Sequence, residues 1–345
     1  MPFTATEPTA ADAGVAAILA RAGHAEAVDA RRLEAAIDDF FLPDDARLDE
    51  EVRALVGERA AQAVQAIERE VAAFAERASG RPLARGVLPR LLASGLLRDA
   101  PLMAELIGRT RQDLLADALR ATIPPSDQSN LLSRLTECPD GVVAAAANAM
   151  LGAENRPRQG RADLSEGVHQ RLVWWVAAAL RERGEPRAAF DRALADAASR
   201  SIVANAAADR LDAAAMRLAA AIDPRPDELA DLLLGALSDA RPALFFATVA
   251  HAAMLDFGTA RAIALDPEGD RLWLVLRAQG LDRGAIARVG LILAEADRRR
   301  DVEAFADLLD SIAAVERDAA AAALAPMRLH PEFRAALRAL ARTAS

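Results

Sequence analysis

The chain has 345 residues, 53% of them hydrophobic but only 4% aromatic, with no tyrosine, one cysteine and a formal net charge of −9. All 42 basic residues are arginine, and the acidic excess sits at the start: Met1 to Ser79 holds 16 acidic and 8 basic residues, whereas Gly80 to Ser345 holds 35 and 34. Such a balance disfavours general nucleic-acid binding, because phosphate backbones repel an acidic surface.

Cys138 is the lone cysteine; one thiol cannot form an internal disulfide, excludes most zinc sites and fits a reducing compartment. The opening MPFTATEPTAAD has no basic segment followed by an apolar run, so it does not read as a secretory signal. No window of about 18 residues is apolar without a charge or a breaker, so no membrane insertion is expected. Cytoplasmic location is the expectation.

Residues 1–8 read as disordered. Helices are expected at 10–22, capped by Thr9 and closed by Gly23, and at 25–41, followed by a turn at Pro43, Asp44 and Asp45. The longest pattern runs from 48 to 79. Val52, Val56, Ala60, Val64, Ile67, Val71 and Phe74 recur at three and four and share one helix face. Gly57 is a candidate kink. The alanine-rich face favours close packing within the chain, and a homodimer through the 48–79 helix is the alternative.

Shorter helices follow at 82–94, 100–107, 109–121, 125–136 and 140–152, separated by Gly95, Gly108, Pro124-Pro125 and Pro139-Asp140-Gly141. AENRPRQGRAD, residues 153–163, has no large apolar residue and reads as a linker between an N-terminal helical domain, 9–152, and a C-terminal helical-repeat domain, 164–345. The second part opens on LSEGVHQRLVWWVAAAL, residues 164–180. Further helices are expected at 187–205, 207–222, 226–239, 242–256, 258–265, 268–279, 282–298, 301–313, 314–325 and 331–342. Asp227, Asp282 and Asp301 are candidate caps, and several prolines, Pro242 and Pro331 among them, sit at early helical positions. No run has the period-two, β-branched pattern of a strand. The expected fold is all-α: a degenerate, HEAT- or armadillo-like α-solenoid with an N-terminal helical bundle containing one long helix. No strict repeat of about 34 to 47 residues is present.

On a helical projection of 164–180, Val168, His169, Leu172, Val173, Trp175, Val176, Ala179 and Leu180 share one apolar arc. Trp174 falls opposite, among Gln170, Arg171, Ala178 and Arg181. Two adjacent tryptophans therefore cannot serve one core contact. Trp174 either packs on a second layer or, with Arg171 and Arg181, anchors a protein partner, since Trp and Arg are enriched at interface hot spots.

The residues offer little chemistry. His24, His169, His251 and His330 are scattered without metal-ligand spacing, and no GxSxG elbow or GxxxxGK[ST] phosphate loop occurs. Asp266-Pro267-Glu268-Gly269-Asp270 lacks the spaced ligands of a calcium loop. Asp38-Asp39 and Asp44-Asp45 read as a helix end and a turn, and Cys138 as a small buried thiol. No catalytic, metal or cofactor site is expected. One sharper alternative rests on Glu166, His169, Arg171 and Leu172, which loosely resemble the phosphoacceptor helix of bacterial sensor kinases; it would make His169 the phosphoacceptor.

Three stretches, RRLEAAIDDFFLPDDARLDEEVRALV (31–56), HQRLVWWVAAALRER (169–183) and LWLVLRAQGLDRGAIARV (272–289), resemble an uncharacterised all-helical family of alphaproteobacterial cytoplasmic proteins. The resemblance runs from about residue 30 onward. It implies an α-helical, HEAT-like protein and carries no functional residues over. The functional expectation is a protein-binding scaffold or adaptor without catalytic activity, with histidine phosphotransfer through His169 as the alternative.

Overall fold

Alanine, leucine and arginine fill the stretches between glycine and proline breaks, and the backbone follows that helical bias. The structure, a computed structural model, describes residues 48–80, 82–122, 130–155, 163–184, 188–206 and 210–342. Among these residues every regular element is a helix and no strand is present. The segments expected at 1–8, 10–22 and 25–41 lie outside the described residues, as do 156–162 of the expected linker.

The first half holds α1 (Glu50–Ser79), α2 (Leu88–Ser94), α3 (Ala100–Thr122), α4 (Leu131–Thr136), α5 (Gly141–Asn155), α6 (Glu166–Glu182), α7 (Ala188–Ala206) and α8 (Leu211–Ile222). The second holds α9 (Leu229–Ser238), α10 (Pro242–Ala253), α11 (Phe257–Ala264), α12 (Asp270–Ala278), α13 (Arg283–Ala296), α14 (Val302–Ala314), α15 (Arg317–Leu324) and α16 (Pro331–Arg342). Short 3-10 turns occupy Leu96–Arg98 and Ala325–Arg328. Residues from Ala54 onward form one compact unit, to which α1 contributes all but its first residues.

The long helix forms over the expected range. Val56, Val64, Ile67 and Val71 of its apolar stripe are buried, and Gly57 lies within an unbroken helix. Asp282 and Asp301 cap as expected, accepting hydrogen bonds from Ala285 N at 2.7 Å and Ala304 N at 2.9 Å. Asp256 and Asn130 cap α11 and α4 in the same way, accepting from Thr259 N and Ser133 N at 2.8 Å each. Asp227 does not cap; α9 begins at Leu229 after a turn that carries Glu228 at the cap position.

Gly108 is not the separator expected from the sequence. Helix α3 runs through it without a break. A Cβ at this position would stand 2.9 Å from Nε of Arg261, so the glycine is there for close approach, not for a turn. The same logic holds at Gly290 of α13, where a Cβ would meet the ring of Phe305. That ring stacks on Trp273, with centroids 4.7 Å apart.

The core is built on α10. Its sequence PALFFATVAHAA is apolar nearly all round, the composition of a helix that is covered on every side. Ten of its twelve residues are buried, Phe245 and Phe246 completely. It packs against α8, α9, α11 and α3, and α8 in turn packs on α5. Helix α3 also touches α11 and α13, so contacts reach far beyond neighbours in the chain. Residues on both sides of 156–162, from Leu115 to Leu324, share one apolar cluster. No single described helix is long and apolar enough to cross a membrane.

Both ends of α10 are turned by residues in the left-handed region without being glycine: Ala240 at φ 53° and Met254 at φ 56°. After Met254 the chain closes with Leu255 N donating to Ala250 O at 2.8 Å. Such a cap is unfavourable for any residue with a Cβ. The Met254 side chain is 69% exposed and contributes little packing to offset it. Met254→Gly is therefore expected to stabilise the protein by about 1 kcal/mol in urea denaturation; unchanged or lowered stability would contradict the strained cap.

Candidate partner-binding surface and buried charge cluster

Helix α6 divides largely as its projection predicts, except that Trp175, placed on the apolar arc, and Arg171, placed opposite, are both half-buried. Val168, His169, Leu172, Val173, Val176, Ala179 and Leu180 are buried. Gln170, Trp174, Ala178 and Arg181 are exposed, with Trp174 at 41%. His169 is 4% exposed, whereas a phosphoacceptor imidazole must meet solvent and a kinase partner.

The two arginines beside Trp174 are engaged within the chain. Arg171 Nη2 donates to Asp99 Oδ1 at 3.1 Å, and Arg181 grips Asp191 through two hydrogen bonds of 2.8 and 3.0 Å. The Arg181 hydrogen bonds to Asp191, with the charge attraction between them, raise the arginine's pKa. Arg90 grips Glu182 through bonds of 2.6 and 3.0 Å, which hold that carboxyl below the usual range. Two of these pairs, Arg90 with Glu182 and Asp99 with Arg171, lash residues 90–99 antiparallel along 171–182. The 90–99 segment carries two further exposed apolar residues, Leu92 at 61% and Leu96 at 39%. Trp174 is thus an exposed aromatic side chain on a helix face bordered by fixed charge pairs. Arg183 anchors the end of α6, donating to the carbonyls of Arg85 and, at 2.8 Å, Gly86. Glu68 of α1 accepts from the backbone of the same turn, from Gly86 N at 2.5 Å and Val87 N at 3.2 Å.

The start of α6 is fastened by a second, buried set of charges. Ser165 stands at the cap position, yet its side chain makes no capping bond. Its hydroxyl donates instead to Glu105 Oε2 at 2.6 Å, and its backbone N–H to Glu105 Oε1 at 2.7 Å. Glu105 also accepts from Arg109, at 3.1 Å from Nε and 2.9 Å from Nη2. Arg109 further reaches Asp163 at 3.3 Å and Asp212 at 3.4 Å. Asp163 accepts Leu211 N at 3.1 Å, and Arg210 pairs with Asp212 at 3.3 Å. One arginine thus ties α3 to the lead-in of α6 and to the start of α8.

Burial opposes the charge on Arg109, but the attraction of Glu105, Asp163 and Asp212 outweighs it and raises its pKa. Burial likewise pushes the Asp163 carboxyl up, against the pull of Arg109. Arg261 lies against this cluster through Gly108 and is 7% exposed. Burial first, and the Arg109 charge second, lower its pKa to about 10. Its guanidinium carbon sits 5.7 Å from the Phe257 ring centroid, and its Nη1 has no hydrogen-bond partner among the described residues.

The buried cluster escaped the sequence reading, although a signal was present. With Gly108 read as a helix interior, Glu105 and Arg109 fall on the same arc as Leu102 and Leu106, where a charge must be paired. Among the described residues no group of His, Cys, Asp or Glu is arranged to hold a metal ion.

Arg109→Met leaves three carboxylates without their common partner and is expected to cost about 3–5 kcal/mol in chemical denaturation. Gly108→Ala forces the Arg261 guanidinium aside and is expected to cost about 1–3 kcal/mol in the same measurement. Losses under about 0.5 kcal/mol for either would mean that the cluster is a surface ornament and not a fastening.

No curated protein and no solved structure matches the chain. A family model described as an uncharacterised protein conserved in bacteria (DUF2336) matches residues 156–325, so the stretch carrying α6 to α15 reads as an uncharacterised bacterial domain.

Proposed function

We propose that the chain is a cytoplasmic, non-catalytic scaffold or adaptor that binds another protein through the outer face of α6. The observation that carries this reading is the exposed Trp174, bordered on its helix by charge pairs already formed within the chain. A large aromatic anchor in an apolar centre with a polar rim is the pattern of energetically dominant interface residues. Because Arg90, Arg171 and Arg181 are held in place, the rim loses little side-chain freedom when a partner docks. The partner that fits presents an apolar side chain or short apolar helix face to Trp174, with charges of both signs around it.

The finer architectural reading, a degenerate HEAT-like repeat of an alphaproteobacterial type, is part of the same proposal. Support comes from consecutive helices that pack in pairs, α6 on α7 and α13 on α14. The packing of α3 on α10, α11 and α13 means that any such array is folded back on itself, not a linear stack.

The test pairs stability with capture. Trp174→Ala is expected to leave the melting temperature within a few degrees, as suits an exposed side chain, yet to weaken partner capture from the native host by tenfold or more. Quantitative mass spectrometry of proteins retained by wild-type and variant chains reads the second outcome. A variant that no longer melts cooperatively would make Trp174 a packing residue, and identical retained proteins would remove α6 from recognition.

A further inference from the structure

A different face of the molecule remains unaccounted for by α6. Helix α16, PEFRAALRALAR, is the most amphipathic of the described helices and buries none of its large apolar residues. Phe333, Leu337 and Leu340 recur at i, i+4 and i+7 and so share one face. They are 53%, 45% and 68% exposed. The helix is moored by its other side: Arg334, about 100° round the helix from Phe333, donates to Asp256 at 3.4 Å and to the Thr259 hydroxyl. Arg328, just ahead of the helix, donates to Ala253 O at 3.1 Å. The mooring points the apolar stripe outward.

The local charge runs against that of the whole chain. Residues 325–342 carry four arginines and one glutamate, a net of +3, on a protein whose total is −9. We propose that α16 is a peripheral membrane-binding helix that lies in the plane of an anionic lipid surface, with Phe333, Leu337 and Leu340 entering the headgroup boundary. A low-hydrophobicity helix with a strong apolar face and arginine as its only cation is what such a surface selects. A second copy of the chain is a poorer occupant. A stripe about 18 Å long and one side chain wide falls well short of the roughly 800 Å² per partner that a stable pair buries. Two copies meeting through this segment would also bring its net charge of +3 against itself, whereas anionic headgroups complement it.

Sedimentation of the full chain with vesicles tests the proposal. Phosphatidylcholine vesicles containing phosphatidylglycerol are expected to retain it, and vesicles of phosphatidylcholine alone to retain it at least about tenfold less, with binding to the former falling as salt is added. The double substitution Phe333→Asp, Leu337→Asp is expected to abolish retention with an unchanged far-UV circular dichroism spectrum, both positions being exposed. Absence of binding to anionic vesicles overturns the proposal, as does binding that survives the double substitution. Concentration-dependent dimerisation, lost in that variant and unaccompanied by vesicle binding, would assign the face to a second copy instead. The lipid comparison on the unaltered chain decides even if the variant fails to fold.

Discussion

The start of α6 is fastened to the rest of the fold by one buried guanidinium. Arg109 gathers Glu105 from its own helix, Asp163 from the lead-in to α6 and Asp212 from the first turn of α8. A charge this deep is tolerable only when it is paired and hydrogen-bonded, and each carboxylate here also takes a second donor or lies beside a second arginine. Glu105 uses its spare capacity on Ser165, Asp163 on Leu211 N and Asp212 on Arg210. The geometry fixes the starts of α6 and α8 against the body of α3. Apolar burial alone, being non-directional, would leave that to chance.

The neighbouring Arg261 shows how tightly the arrangement is drawn. Its guanidinium is held against the backbone of α3, and a glycine at 108 is the condition for that contact. Here the two levels of the fold meet. The apolar α10 supplies a core that any hydrophobic sequence of similar volume could approximate. The arginines set against it admit one arrangement of partners.

Much of this was legible beforehand. Helical periodicity placed α1, α6 and most of the later helices, and the projection of 164–180 placed His169 on the buried side and Trp174 opposite it, leaving open whether Trp174 packs on a second layer or is exposed. Periodicity works there because each helix has one strongly apolar side. The reading failed at Gly108, where a glycine served close approach instead of a turn, and at Asp227, where a turn intervened before the helix. The buried cluster was hidden for a further reason. Its members are far apart in sequence, and only tertiary contact tells a paired charge from a solvated one. The commitment of Arg171 and Arg181 to Asp99 and Asp191 was equally out of reach, since 72 and 10 residues separate the partners.

The spacing of the Arg109 cluster has a consequence for the order of events during synthesis. Arg109 leaves the ribosome with Glu105 one turn ahead of it, but Asp163 follows 54 residues later and Asp212 follows 103 residues later. At ordinary elongation rates the last carboxylate arrives on the order of 5–20 s after the arginine. Until Asp163 emerges, Glu105 is the one carboxylate of the cluster available to Arg109, and the two that tie α3 to α6 and α8 are missing. Closure of the cluster therefore has to wait for the first turn of α8.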